Sequence, residues 1–393
     1  MLTDNDMIKI FLILTALANI VLAQNATVYK NKKDGGYNFT VVKNLETTPI
    51  QDQGNTGTCW SFSTLSFFES ELIRQGKKGY NLSEMYVARR CYEDKGQLYV
   101  RMHGTTPFAQ GGAFHDVTYV LKKYGMVPEE VYKGLNYGET KHNHTEVEKI
   151  LHNYVKAVVE SGSKGKISTV WKAGYLATLD AYFGKIPNQF TYNGKNYTPE
   201  TYAQELGLNP DDYIEITSFN HHPFYSQFML EVPDNWLFGK VYNVPLNDLS
   251  EIMDYAINNG FTVAWASDVS EKGFSFKNGV AIVPEKDWSE YTKEEIEKMF
   301  NEPVKQRKIT QELRQLGFDN YETQDDHGMH IVGIFKDQLG QKYYLVKNSW
   351  GDKSNDCDGF FYASESFFLL KTTCIMLHKK AVPPAIAKKL GLI

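Results

Sequence analysis

Cysteine is scarce in this sequence, with four in 393 residues, at positions 59, 91, 357 and 374. That excludes a scaffold assembled from disulfides, so a packed core has to stabilise the fold. If a bridge forms, it pairs two of Cys91, Cys357 and Cys374, and the sequence does not say which. Positive charge is not in excess either: the formal net charge of −5 excludes the broad basic field that would hold a nucleic-acid backbone. Long apolar runs are missing apart from residues 10–23, and this run is shorter than the ~20 residues a membrane-crossing helix needs. Lys9 precedes it, Gln24 follows it, and Val21-Leu22-Ala23 ends it with small or modest side chains. It therefore reads as a signal peptide over residues 1–23, with export to the periplasm or the extracellular space and no stable membrane insertion. No cysteine follows directly to carry a lipid, and no H-E-x-x-H or paired CxxC marks a metal site, so no cofactor is expected.

What is present is ample apolar material, 42% hydrophobic and 14% aromatic, enough for one large core or two lobes packed together. In residues 59–73, Phe62, Leu65, Phe68 and Leu72 recur at gaps of three and four, which predicts a helix with Thr58 as its cap and Cys59 in its first turn. Further helices are expected from Ser83 onward, over 114–124, 146–160 and 249–258. Residues 261–269 predict a buried strand. Residues 327–335 and 343–348 predict a hairpin that carries a histidine and an asparagine. Residues 24–46 read as a polar stretch. Helices first, a mixed middle and strands last argue for an α+β protein with a helical lobe, a sheet lobe and a cleft between them.

The chemistry concentrates at four residues. A thiol is a strong nucleophile only as thiolate, and a helix N-terminus and a neighbouring imidazolium both favour that form. Cys59 is placed to have both, with His327 as its acid and base. Asn348 is suited to orient the ring of His327, and the side-chain amide of Gln53 with the Cys59 backbone N–H would make an oxyanion hole.

These residues sit in segments that resemble a known family. Gln53-Gly54-Asn55-Thr56-Gly57-Thr58-Cys59-Trp60-Ser61-Phe62 resembles the nucleophile segment of papain-like cysteine peptidases. His327-Gly328-Met329-His330-Ile331-Val332-Gly333 resembles that family's histidine strand, and Lys347-Asn348-Ser349-Trp350-Gly351 its asparagine segment. Thr56 stands where many secreted members have a disulfide-bonded cysteine, and a long insertion separates Cys59 from His327. Both features resemble the bleomycin hydrolase and aminopeptidase C branch, as do Asn243-Val244-Pro245-Leu246 and residues 263–269. The resemblance implies the papain-like two-lobed fold over residues 24–393, with an insertion at about 95–315. It also implies a peptidase acting on peptide substrates through an acyl-enzyme on Cys59, and a possible homo-oligomer, hexameric in that branch. In the branch a C-terminal arm occupies the cleft. The corresponding arm here, about 380–393, would place the Ile393 carboxylate against a substrate α-amino group and make the enzyme an aminopeptidase. An endopeptidase with an open cleft and a non-catalytic binding or scaffold protein on the same fold are the rival readings.

Other residues have plainer readings. His330 lies an odd number of positions from His327 and is expected to face away from it as a packed or surface residue. A metal cluster of His327, His330, Asp325 and Asp326 lacks any ligand motif. His142, His144 and the pair His221-His222 are read as structural or solvated, although the aromatic surroundings of His221-His222 allow it to line the cleft. Trp350 is expected to shield the His327–Asn348 bond, and Trp60 to pack beneath the nucleophile helix. Asn25, Asn38, Asn81, Asn143 and Asn196 begin N-x-S/T triplets.

Overall fold

The computed structural model describes residues 28–162 and 165–393. The expected signal peptide and its cleavage point lie outside the described residues.

The polar N-terminal stretch, with no element expected from its sequence, contains strands. It forms β1 (Tyr29–Lys30) and β2 (Asn38–Asn44), and β2 pairs antiparallel with the strand that begins at His327. Tyr37 and Phe39 anchor it in a small aromatic core with Phe335 and Tyr343, and these few buried rings outweigh the surrounding polar residues.

Four helices then build one lobe: α1 (Cys59–Arg74), α2 (Glu84–Arg101), α3 (Phe114–Tyr124) and α4 (Thr145–Gly162). The Ser83 hydroxyl caps α2 by accepting from the Tyr86 N–H at 3.0 Å. Thr58 does not cap α1. Its hydroxyl pairs with that of Thr56 at 2.6 Å, so no side chain covers the first-turn N–H groups of the nucleophile helix.

The middle of the chain adds α5 (Trp171–Phe183), the hairpin β3 (Phe190–Tyr192) and β4 (Lys195–Tyr197), and α6 (Pro199–Leu206). It continues through β5 (Tyr213–Thr217), β6 (Gln227–Met229), β7 (Lys240–Asn243), α7 (Leu246–Asn258) and β8 (Val263–Ser267). After these come β9 (Phe274–Ser275), β10 (Val280–Ala281), α8 (Lys293–Met299) and α9 (Gln311–Asp319). Residues 95–315 therefore contribute to both large cores. The chain ends with β11 (His327–Lys336), β12 (Lys342–Lys347), β13 (Phe360–Ser364), α10 (Glu365–Lys371), β14 (Thr372–His378) and α11 (Pro384–Lys389).

Twelve strands form one sheet in the order β6-β7-β5-β14-β8-β11-β12-β13-β10-β9, with β2 and β1 attached at β11. Strand alternation divides its residues between two faces. Ala264, Ala266, Cys374 and Met376 join the core around α1 to α6, while Val263, Trp265, Ile375 and Leu377 join a core under α7, α10 and α11. Gly328 marks the closest approach of sheet and nucleophile helix: a Cβ there would meet Trp60 Cα at 3.2 Å and Ser63 Oγ at 2.8 Å. The register brings His327 opposite Ser267 of β8, at the end of β11.

The C-terminal arm departs from expectation. Ala381, Val382, Ile386, Ala387 and Leu390 are buried in the core under α7, on the sheet face opposite α1. Leu392 packs partly against the same core, and Ile393 is 80% exposed. Ile393, expected to reach the substrate site, is not among the residues that line the cleft. Pro383-Pro384 starts a short helix whose apolar side follows the apolar sheet face, and that burial carries the arm away from the cleft.

Candidate active site

Cys59 opens α1 at the floor of a cleft of about 440 Å³ that His327 also lines. The thiol is held from several sides. The backbone N–H groups of Gly328 and Trp60 both bear on its sulfur and favour the thiolate, but burial outweighs them, and with Asp325 and Asp234 nearby the thiol is pushed up to about 12. Burial likewise lowers the His327 pKa, with Asn348 opposing. Each group alone therefore favours its neutral form.

His327 is fixed in one orientation. Its Nε2 lies 2.7 Å from Asn348 Oδ1, and that oxygen also accepts the Ser349 N–H at 2.8 Å, which identifies it as the amide oxygen. The proton on this side of the ring accordingly belongs to Nε2, leaving Nδ1 as the nitrogen free for the thiol. Trp350 covers the ring with centroids 4.7 Å apart, and Phe276 packs edge-on against Trp350. Water is thereby kept from the His327–Asn348 bond. His330 is buried on the other side of the strand, where its Nδ1 meets Ser66 Oγ at 3.0 Å.

Gln53 is buried between the two segments it joins. Its Oε1 accepts from Ser349 Oγ at 2.6 Å and its Nε2 donates to the Thr56 carbonyl at 2.7 Å. That leaves the second amide hydrogen unused by these contacts. The structure thus brings Cys59, His327, Asn348 and Gln53 to one place, while Ile393 stays outside it.

The remaining walls were not legible as functional. Lys95, buried in α2, donates to the carbonyls of Ala109 and Gly111 and so fixes the loop that forms one rim. Gln110 Oε1 ties this rim to the nucleophile loop through the Gly57 N–H at 2.7 Å. Gly111 and Gly112 are required there, because added Cβ atoms would meet Asp234 Oδ2 at 1.9 Å and Asp116 Oδ2 at 2.5 Å. The adjacent glycines were the available signal.

The cleft is acidic. Glu148, Glu215, Asp234, Asp325 and Asp326 line it, and among the described residues no lysine or arginine does. Glu215 is matched by His115 at 3.1 Å; burial disfavours the charged ring, but Glu215 outweighs it and holds the His115 pKa at about 9. Asp326 accepts the N–H groups of Val269 and Ser270 at 2.9 and 3.0 Å. Asp325 accepts from Thr373 Oγ1 at 2.9 Å, and burial followed by the charge of Asp234 raises its pKa to about 7. All four cysteines are free, and Cys374 also reaches the cleft lining.

Comparison with known proteins agrees with this geometry. A model of the Peptidase C1-like family matches residues 8–391. Curated relatives include aminopeptidase C of Lactobacillus delbrueckii subsp. lactis, 23% identical over 88% of this chain and 82% of its own length. Aminopeptidase G of the same organism is 24% identical, over 86% of this chain and 82% of the relative. Among solved structures, PepW from Lactobacillus rhamnosis superposes with a TM-score of 0.70 at 20% identity, covering 100% of this chain and 95% of the other. The last of these establishes the fold.

Proposed function

The chain belongs to the Peptidase C1-like family, and from that premise we propose that it is a cysteine aminopeptidase working through an acyl-enzyme on Cys59. The observation that carries the reading is the joint placement of Cys59 at a helix start and of His327, locked by Asn348, in one cleft. The curated relatives named aminopeptidase C and G support the release of N-terminal residues.

In this reading the thiol proton passes to His327 Nδ1 as the sulfur attacks the substrate carbonyl carbon. The oxyanion that develops is met by the Cys59 N–H and the free amide hydrogen of Gln53, at the uncapped positive end of α1. The imidazolium then gives its proton to the leaving amine as the C–N bond breaks, which leaves a thioester. His327 next removes a proton from water, the hydroxide displaces the thiolate, and the carboxylic acid leaves. Asn348 keeps Nε2 occupied throughout, so that Nδ1 alone exchanges protons.

With the C-terminal arm elsewhere, selection for a free amino group falls to the cleft's own carboxylates. Asp325 and Asp234 attract a substrate α-ammonium and give it a desolvated partner. The test is hydrolysis of aminoacyl-coumarins with free and with blocked amino groups. Cleavage of the free-amine series alone, abolished in Cys59→Ala, supports the reading. Efficient cleavage of blocked substrates makes the enzyme an endopeptidase, and no thiol-dependent cleavage across the panel leaves a scaffold.

The apolar run at residues 10–23, with Lys9 before it, supports a further part of the proposal, export of the chain. Fractionation of cells expressing the full sequence, followed by N-terminal sequencing, checks it. A cytoplasmic chain that retains residues 1–23 overturns it.

A further inference from the structure

Outside the cleft, one cluster of side chains has the chemistry of a metal site. His221 Nε2 lies 2.8 Å from Glu231 Oε2, and His222 Nε2 lies 3.0 Å from Glu231 Oε1. The three ligand atoms, one from each residue, lie within 4.8 Å of one another. We propose that His221, His222 and Glu231 bind a divalent transition-metal ion of the zinc class on the outer side of the cleft wall.

Four observations support this. First, two imidazoles turn the same nitrogen, Nε2, toward one carboxylate, and a dication placed among the three atoms takes a lone pair from each. Second, the ring of His221 is oriented from behind. Its Nδ1 lies 3.0 Å from Gln315 Nε2 and 3.3 Å from Gln315 Oε1, and that amide is itself fixed by accepting the Asn220 N–H at 2.7 Å and donating to Asp319 at 2.8 Å. With an ion on Nε2 the ring proton sits on Nδ1 and is donated to Gln315 Oε1, the kind of partner that sets a ligating histidine's tautomer. Third, both rings are held by aromatic neighbours: His221 stacks on Phe318 with planes 11° apart, and His222 stacks on Phe228 at 4.2 Å. The Asn243 amide fixes the backbone between them by donating to the carbonyls of Phe219 and His222. Fourth, the side chains are 27%, 33% and 46% exposed, which leaves solvent to complete the coordination.

The donor set decides the class of ion. Two imidazoles and one carboxylate suit zinc and its neighbours, whereas calcium and magnesium take oxygen donors. The site also has a mechanical consequence. Leu230 and Val232, on either side of Glu231, both line the cleft, and Asp234 and Asn235 follow them. An ion on Glu231 ties this wall to the loop that carries His221 and His222.

The experiment uses the full chain with Cys59→Ala, which removes the competing thiol at the catalytic centre. After chelator treatment it is titrated with Zn²⁺ by calorimetry and with Co²⁺ by visible absorption. One equivalent of Zn²⁺ is expected to bind at about 10 µM or tighter, with a Co²⁺ band of low-coordinate N/O type and a rise in Tm. The band and the Tm rise are expected to disappear in His221→Ala/His222→Ala. Gln315→Leu, which leaves all three ligands in place, is expected to weaken binding by roughly 10-fold to 100-fold. If the double variant is destabilised, Glu231→Gln supplies the same test with a side chain of the same shape. Binding that survives both ligand variants, or no binding in the micromolar range, overturns the site.

Discussion

On the sheet face turned toward α7, α10 and α11, Ile216 of β5, Trp265 of β8 and Ile375 of β14 stand side by side in register, all fully buried. One residue away on the same three strands, Glu215, Ala266 and Cys374 face the cleft. The first face is closed: the Trp265 indole N–H reaches Thr372 Oγ1 at 2.8 Å, and the C-terminal helix seals the edge. The second collects the buried polar groups, including Asp325, Glu215, His115 and the free thiol. A strand with period 2 can therefore assign stability to one face and chemistry to the other, and damage to each face has a different readout.

The largest effect is expected on the closed face. Trp265→Ala leaves a cavity and removes the indole N–H that Thr372 Oγ1 accepts, and should cost about 3–5 kcal/mol, read as a shift in the urea midpoint. On the open face the largest loss is in rate. Gln53→Ala should lower kcat by about 10²–10³ with a much smaller change in KM, because its free amide hydrogen is used only as the oxyanion forms. A drop in stability alone, with kcat intact in the folded fraction, would make Gln53 a strut between Thr56 and Ser349.

The contrast between the faces also explains what could be read from the sequence. The nucleophile helix, the buried strand 261–269 and the His327–Asn348 hairpin follow from local periodicity, and the structure forms them at nearly those positions. Cys59, His327 and Asn348 stand out because their neighbours resemble a familiar pattern, and the fold brings the three together. Asp234, His115 and Lys95 carried no such mark, since each acts through contacts that only the folded insertion creates. β2 was hidden because Tyr37 and Phe39 gain their burial from strands about 300 positions later. The arm carried no motif of its own, and its expected place came from the resemblance alone; the burial of Ile386 and Leu390 in the core under α7 depends on a packing surface that only the fold creates.

Asp325 should give a smaller effect, with opposite signs in stability and activity. Its folded pKa, about 7, lies above the ordinary carboxylate value, so the folded state holds this proton more tightly than the unfolded chain does. The resulting stabilisation is fully present below the unfolded carboxylate pKa and is lost as pH rises through about 7. Asp325→Asn should therefore change little at pH 4 and gain on the order of 1–2 kcal/mol at pH 8, measured by thermal melts at both pH values. The same variant should raise KM for free-amine substrates, and the wild-type KM should rise as pH falls through about 7. Loss of activity without the stability gain would mean that Asp325 is already paired.

The smallest effect is expected from removing Leu392 and Ile393, and it separates the two faces most directly. Ile393 is largely exposed and Leu392 only partly buried, so the truncation should cost about 0.5 kcal/mol or less. Because the sheet lies between this arm and Cys59, the ratio of free-amine to blocked-amine cleavage should stay where the full chain has it. A terminal carboxylate that gated the cleft would instead let blocked substrates in once removed. Relaxed selectivity after truncation would mean that the arm leaves the α7 face to reach the cleft, and the carboxylates of Asp325 and Asp234 would then be secondary. Unchanged selectivity, with selectivity lost in Asp325→Asn, assigns amino-group recognition to the open face.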